Sequence, residues 1–251
     1  MWKGITGDSY IGQWVQNKAH GYGQHEWANG DRYEGEWKFC LRHGQGSDTF
    51  ANGDVYLGEY NYGKANGYGQ YRWSNGNTYS GIFVEGMKEG KGVWKKSGTE
   101  EVTNTYEGEY VQDMKHGQGE FRWATGGYYK GRYEHDVKVG YGEMYWADGS
   151  IYRGSWDRGI QNGLGIMIFS NGTRKAGIFK DNVLVELLMN QEMADEAEDM
   201  IEEPFPEAFR QELKEYIGLM NPKEDNRQYL DRKYQDAGVE DKIQPNTLLE
   251  M

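Results

Sequence analysis

The chain has 251 residues, of which 37 are glycine and only 4 proline, and its formal net charge is −12. So many glycines without a strict three-residue period exclude collagen, and so acidic a balance argues against nucleic acid, whose recognition depends on basic surface. The acidity sits at one end: from Glu186 onward there are 18 acidic against 7 basic side chains, and before it 22 against 21.

Gly7 and Tyr10 close a half unit that opens near Trp2, and from there the chain repeats itself. Tyrosines stand at Tyr10, Tyr33, Tyr56, Tyr79, Tyr106, Tyr129 and Tyr152, 23 residues apart except for 27 between Tyr79 and Tyr106. Two residues after each comes a glycine, Gly12 through Gly154, and four after it an aromatic: Trp14, Trp37, Tyr60, Phe83, Tyr110, Tyr133 and Trp156. A Gly-x-Gly pair follows in every unit, from Gly21 and Gly23 to Gly163 and Gly165, with later aromatics at Trp27, Phe50, Trp73, Trp123 and Trp146. A degraded eighth unit keeps Gly177 and Phe179 but has Lys175 in the tyrosine position.

Residues at i, i+2 and i+4 share one face of a strand, so each Tyr-x-Gly-x-aromatic stretch predicts a strand with these three together. The polar stretch that follows (VQNKAH, VQDMKH) is a turn, and the Gly-x-Gly stretch is a second strand. One β-hairpin per unit results. Up to Asn182 the chain holds only three leucines, Leu41, Leu57 and Leu164, so the aromatics must supply the core, each able to bury on the order of 150–250 Å². Glycine weakens a strand, and its regular recurrence predicts close approach, with rings filling the space that glycines leave. Seven hairpins at about 4.8 Å per strand give a sheet on the order of 70 Å long.

These units resemble the MORN repeat family (membrane occupation and recognition nexus), which reads Tyr-x-Gly-x-aromatic, then Gly-x-Gly, then aromatic-x-x-Gly, over residues 1 to about 182. The resemblance implies a mainly β fold: an elongated, twisted, single-layer antiparallel sheet of hairpin repeats with an aromatic-lined groove, followed here by short C-terminal α-helices. The tyrosines and aromatics named above are the candidate groove or packing residues.

The fourth unit departs from the pattern: after Gly92 it runs VWKKSGTEEVTNT, with Trp94 early and four extra residues before Tyr106. This reads as a longer surface loop, or else as a bulge that bends the ribbon or meets a partner. After the array the period changes. Met193, Ala197, Met200 and Ile201, and then Phe209, Leu213, Tyr216 and Ile217, follow helical spacing with acids between them. Two short amphipathic helices are expected near 187–203 and 206–218, to cap the open end of the array or to dock on a partner or second copy. The domain reading is therefore a repeat array over 1–182, a helical cap or docking segment over 183–220, and an extended or partner-ordered acidic tail over 221–251.

Reactive chemistry is hard to find. Gly-x-Gly recurs in every unit, whereas a phosphate-binding loop would be unique and open a helix. His20, His43 and His116 share one repeat slot that other units fill with Asn66, Glu89, Val139 and Asn162, which marks a turn position. His25 and His135 have no spaced ligand partners. Cys40, the one thiol, sits in a hairpin turn and points to a reducing compartment. The start MWKGITGDSYIG has no leader pattern, and no apolar run approaches the roughly 18 residues a spanning helix needs. We therefore expect a soluble cytoplasmic protein with no catalytic residues, cofactor or metal.

Relatives of this repeat join it to lipid kinases or to a SET-class methyltransferase, but the acidic remainder here is too short for either. The resemblance instead implies a scaffold or adaptor within the cytoskeleton, foremost an axonemal component like radial spoke head proteins of the cilium or flagellum, with protein partners and a homodimer left open. The alternatives are a membrane-apposed, lipid-binding tether of the junctophilin kind, which the near-neutral array and acidic tail disfavour, and a small adaptor holding one helix of a motor or enzyme in its groove.

Overall fold

A computed structural model describes residues 1–98, 103–188 and 205–220. They form one antiparallel sheet of seventeen strands, in which each strand pairs with the one before and the one after it in the chain. Every complete unit contributes a seven-residue and a nine-residue strand, beginning with β2 (Ser9–Val15) and β3 (Lys18–Glu26) and ending with β14 (Ile151–Asp157) and β15 (Ile160–Ile168). The half unit at the front supplies β1 (Trp2–Lys3), and the degraded unit supplies β16 (Arg174–Lys180) and β17 (Val183–Leu187). The sheet thus runs past Asn182, where the sequence reading ended the array and expected a helix to begin near 187. Leu184 packs on the aromatic cluster, which gives this strand its anchor.

The glycine spacing sets the register. Gly12 pairs with Gly23, Gly23 with Gly35, Gly35 with Gly46, and so on through Gly165 and Gly177, so that one glycine from each strand between β2 and β16 forms an unbroken row across the sheet. The reason is the ring above it. A Cβ on Gly46 would stand 2.5 Å from Cε2 and Cζ of Tyr33, and one on Gly35 would stand 2.6 Å from its hydroxyl. Each repeat tyrosine lies flat over two paired glycines and is excluded from water, Tyr33, Tyr79, Tyr106, Tyr129 and Tyr152 completely so.

The aromatic four residues on stands edge-to-face against the tyrosine of its own unit and of the preceding unit. Tyr33–Trp37 and Tyr33–Tyr60 are 5.0 and 5.1 Å apart, and Tyr129–Tyr133 and Tyr129–Trp156 are 5.3 and 5.1 Å apart. This zigzag runs from Tyr10 to Phe179. Edge-to-face rings at this spacing contribute about 0.5–1.5 kcal/mol each beyond their area, so consecutive units are tied as firmly as the two halves of one unit.

Within each hairpin, and never between hairpins, the register slips at a β-bulge beside the first glycine of Gly-x-Gly. That glycine is left-handed, as at Gly44 with φ 56°, and where Gln13, Glu36, Glu59 or Glu109 stands opposite, its side chain turns in to the freed backbone: Gln45 N–H donates to Glu36 at 2.9 Å, and Tyr68 N–H to Glu59 at 3.1 Å. Backbone bonds also cross between units at both long edges. Ala51 N–H donates to Asp31 and Ser74 N–H to Asp54 at the loop edge, while Cys40 N–H donates to the Ala19 carbonyl at the hairpin edge.

The insertion in the fourth unit leaves the ladder intact. β9 (Met87–Lys95) and β10 (Thr105–Val111) pair without a slip, and Asn104 keeps the loop-edge bond to Ala124. The expected bulge is therefore not at this junction, and the extra residues sit in the connecting loop, of which 99–102 lie outside the described residues. Nor is Trp94 early: it pairs with Tyr79 just as Tyr71 pairs with Tyr56, and Lys96 takes the later aromatic's place.

One helix is described, α1 (Glu207–Met220). Pro206 precedes it and accepts from the N–H groups of Phe209 and Arg210. The first expected helix falls almost wholly outside the described residues, and with it Met193, Ala197, Met200 and Ile201.

Candidate functional site

The two faces of the sheet differ because side chains alternate along every strand. The tyrosine face is closed. Of the groove or packing roles expected for these aromatics, the structure shows packing: the rings fill the space above the glycines and one another. Trp37, Tyr60, Phe83, Tyr110, Tyr133 and Trp156 are buried like the tyrosines, and Trp27, Trp73, Trp123 and Trp146 are half-buried at the loop edge beside them. Trp14 is 42% exposed, since no complete unit precedes it.

Cations lie over the rings of this face. Arg42 sits 4.8 Å from the Trp27 ring and 5.4 Å from Tyr33, and Lys138 lies 4.7, 4.8 and 5.1 Å from Tyr129, Trp156 and Trp123. Burial pulls the Lys138 and Lys88 ammonium groups below the usual lysine range. Asp48 is buried here too, bonded by Tyr60 at 2.6 Å and Arg42 at 3.0 Å, and burial pushes its carboxyl up. Sequence reasoning missed this cluster. The available signal was a lone acid in a slot that other units fill with His25, Tyr71, Trp94, Phe121, Met144 and Met167.

The opposite face is the open one. A groove runs along it past Tyr68, Ser80, Lys91, Val93, Glu107 and Gln118, and a second stretch lies between Tyr22, Glu34, Ser47 and Leu57. Its far end is filled by α1. Phe209, Leu213, Tyr216 and Ile217 are buried there against Leu164, Ile166 and Ala176, with Leu188 and Phe205 completing the cluster. Tyr141 stands edge-on to Phe209 at 5.4 Å, and Glu212 bonds Arg153 at 2.8 Å. The apolar stripe of α1 thus lies on the sheet, and Leu164, between the two glycines of its unit, supplies aliphatic surface where Tyr22 and Tyr68 stand in earlier units.

All the histidines but His25 lie along the hairpin edge. His20 meets Phe39, His43 meets Tyr62, and His116 meets His135, while His25 packs on Trp27. Among the described residues no three His, Cys, Asp or Glu side chains form a set that could hold a metal ion, and no helix is long and apolar enough to cross a membrane. Cys40 is exposed at a hairpin tip.

A ladder of glycines under tyrosines, renewed every unit, matches what a family model finds. The MORN repeat model matches residues 10–32, 33–55, 56–78, 79–99, 106–128, 129–151 and 152–174. The chain belongs to the MORN repeat family. A comparison with curated proteins found no match. Among solved structures, the chain is similar to the TCP10 domain of Danio rerio CPAP in complex with a peptide of Danio rerio STIL, at 16% identity over 67% of this chain and 74% of that one, with a TM-score of 0.39. It is also similar to the SAS-4 (dCPAP) TCP domain of Drosophila melanogaster in complex with a proline-rich motif of Ana2, at 12% identity over 72% and 95%, with a TM-score of 0.41. Both scores are below one half. MORN units are a structural repeat, and their array here is an interaction scaffold in form: long, open on one face, and already carrying one peptide segment on that face.

Proposed function

We propose that this MORN protein is a non-enzymatic scaffold or adaptor that holds other proteins together in a cytoplasmic, cytoskeletal assembly, foremost the axoneme of a cilium or flagellum, in the manner of radial spoke head proteins. The observation that carries protein binding is α1: the open face takes an amphipathic helix through Tyr141, Leu164 and Ile166, anchored by Arg153 to Glu212. The axonemal part of the reading is supported by the family resemblance and the acidic C-terminal region. Native purification with gentle crosslinking and mass spectrometry tests it. Crosslinks from Lys91 and Lys130 in the groove to axonemal proteins are the expected result, and recovery of membrane proteins alone would overturn it.

The same helix supports a second reading, an adaptor that takes a single helix of a motor or enzyme in the remaining groove. A soluble one-to-one complex in place of a salt-resistant assembly separates the two. A lipid tether would need basic clusters, worth about 1 kcal/mol per cation near an anionic surface. Weak co-flotation with anionic liposomes at physiological salt is expected.

A further inference from the structure

The hairpin turns along one edge of the ribbon share a geometry in which both central residues, or the first with a following glycine, are left-handed. Across the eight turns of described residues the first of these is polar or charged except at Phe39 and Tyr62, which stand in adjacent turns. The second is Gly, Asn or Asp in every turn but one, where Cys40 has φ 69° after Phe39 at φ 50°. Asn-Gly is the pair such a turn prefers, and a bulky residue held left-handed is a departure that persists where something else is gained.

What this turn achieves is display. Phe39 is 47% exposed, Leu41 45% and Tyr62 73%. They form one patch, for Leu41 reaches to within 3.6 Å of where a Cβ on Gly63, next to Tyr62, would stand. The patch is held in shape beforehand: His20 packs edge-on against Phe39 at 4.9 Å, and Cys40 N–H is bonded to the preceding unit. Exposed Lys18, Lys38 and Lys64 surround it, and of these Lys64 pairs with Glu85 at 2.8 Å. The fourth, fifth and sixth turns of the same edge carry Glu85, Asp113 and Asp136 at their tips, the seventh Arg158 and the eighth Asp181.

We propose that the Phe39–Leu41–Tyr62 knuckle is a docking site for an acidic linear segment of a partner protein. Aromatic or aliphatic side chains of that segment pack on the three apolar ones, and its carboxylates meet Lys18, Lys38 and Lys64. Rigid aromatic anchors inside a charged rim are the anatomy of a compact binding site. A short peptide need cover only the first three turns, whereas a flat anionic bilayer would also meet the acidic tips. The site rests on the scaffold reading but lies on an edge, away from the groove that holds α1.

The test exploits the strained turn. Phe39→Asn with Cys40→Gly installs the preferred turn pair, and so removes the anchor while keeping or improving the fold; Tyr62→Asn does the same next door. The full chain is used to select from a random peptide display library, with counter-selection on the double variant. Binding of the selected peptides is then followed by fluorescence anisotropy. Acid-rich peptides with aromatic or leucine anchors are expected. Their affinity should fall about tenfold or more in either variant and should weaken as salt rises, while thermal stability holds or increases. Equal binding to parent and variants, or selection of neutral or basic peptides, would overturn the proposal. So would vesicles of phosphatidylserine and phosphatidylcholine, or a second copy of the chain in sedimentation, that bound the parent and not the variants. If crosslinking finds axonemal neighbours that the variants keep unchanged, the scaffold reading stands and this site falls.

Discussion

Gly92→Ala tests the reading of the glycine row as a seat for tyrosine rings. Gly92 pairs with Gly81 on one side and Gly108 on the other, at the middle of the sheet. An added Cβ would stand 2.5 Å from Cε2 and 2.6 Å from Cζ of Tyr79, so the ring must retreat by roughly 1 Å to recover ordinary contact. It has nowhere to go: Tyr79 is wholly buried, edge-on to Phe83 at 5.3 Å and Tyr110 at 5.1 Å, with its hydroxyl on the Ile82 carbonyl. Overpacking of this kind costs about 1–3 kcal/mol, against which alanine in a strand regains about 0.5–1 kcal/mol of chain entropy. A net loss of about 1–2 kcal/mol is expected. Gly149→Ala, where nothing lies within 4 Å and φ is 86°, loses a similar amount for a different reason, the left-handed backbone.

Coupling separates the two. Shrinking the ring by Tyr79→Leu relieves the Gly92→Ala clash, so that pair should fall short of additivity by about 1 kcal/mol or more, while Tyr79→Leu with Gly149→Ala should add within about 0.5 kcal/mol. Native-state hydrogen exchange is the assay. Contacts run only between neighbouring units, so protection should fall across Thr78–Arg122 and persist in the first two hairpins. Full additivity at Gly92, or uniform loss across the chain, would refute the reasoning.

Alkali should unfold the array cooperatively. Burial raises the hydroxyl pKa of Tyr33, Tyr79, Tyr106, Tyr129 and Tyr152, so their contribution is complete below the unfolded value near 10 and is lost as pH rises above it, at about 1.4 kcal/mol per ring per pH unit. Tyrosinate absorbance from these rings should appear together with loss of structure, and its appearance with the fold intact would contradict this. Lys138→Met should be neutral or stabilising by up to about 1 kcal/mol, because a thioether among Trp123, Tyr129 and Trp156 replaces a desolvated ammonium; a loss above about 2 kcal/mol in chemical denaturation would show the ring contacts outweigh burial. In α1, Gly218 is exposed with no atom near its Cβ position, so Gly218→Ala should stabilise the helix by about 1 kcal/mol. Phe209→Ala should cost about 3–5 kcal/mol of its docking, and hydrogen exchange at 207–220 should move in opposite directions in the two variants.

The period of the tyrosines and glycines determined the strands, the hairpins and the pairing of neighbours from sequence alone. That was possible because a repeat array carries its fold in contacts between adjacent units, and one unit's pattern implies the next. Alternation along a strand also announced two faces, with the aromatics packed over the glycines on one of them, but not how the rings would interlock. That depends on rings from neighbouring units meeting edge-to-face over the glycine row, as Tyr33 meets both Trp37 and Tyr60. Only the tertiary structure decided that α1 lies on the other face, since its stripe names an apolar surface without naming Leu164 and Ile166 as that surface. The same holds for Asp48, whose partners Arg42 and Tyr60 come from its own strand and from the unit that follows. Phe39 and Tyr62 are a whole repeat apart in the chain and read singly as turn residues; stacking the hairpins at one strand-pair spacing is what brings them to a single edge.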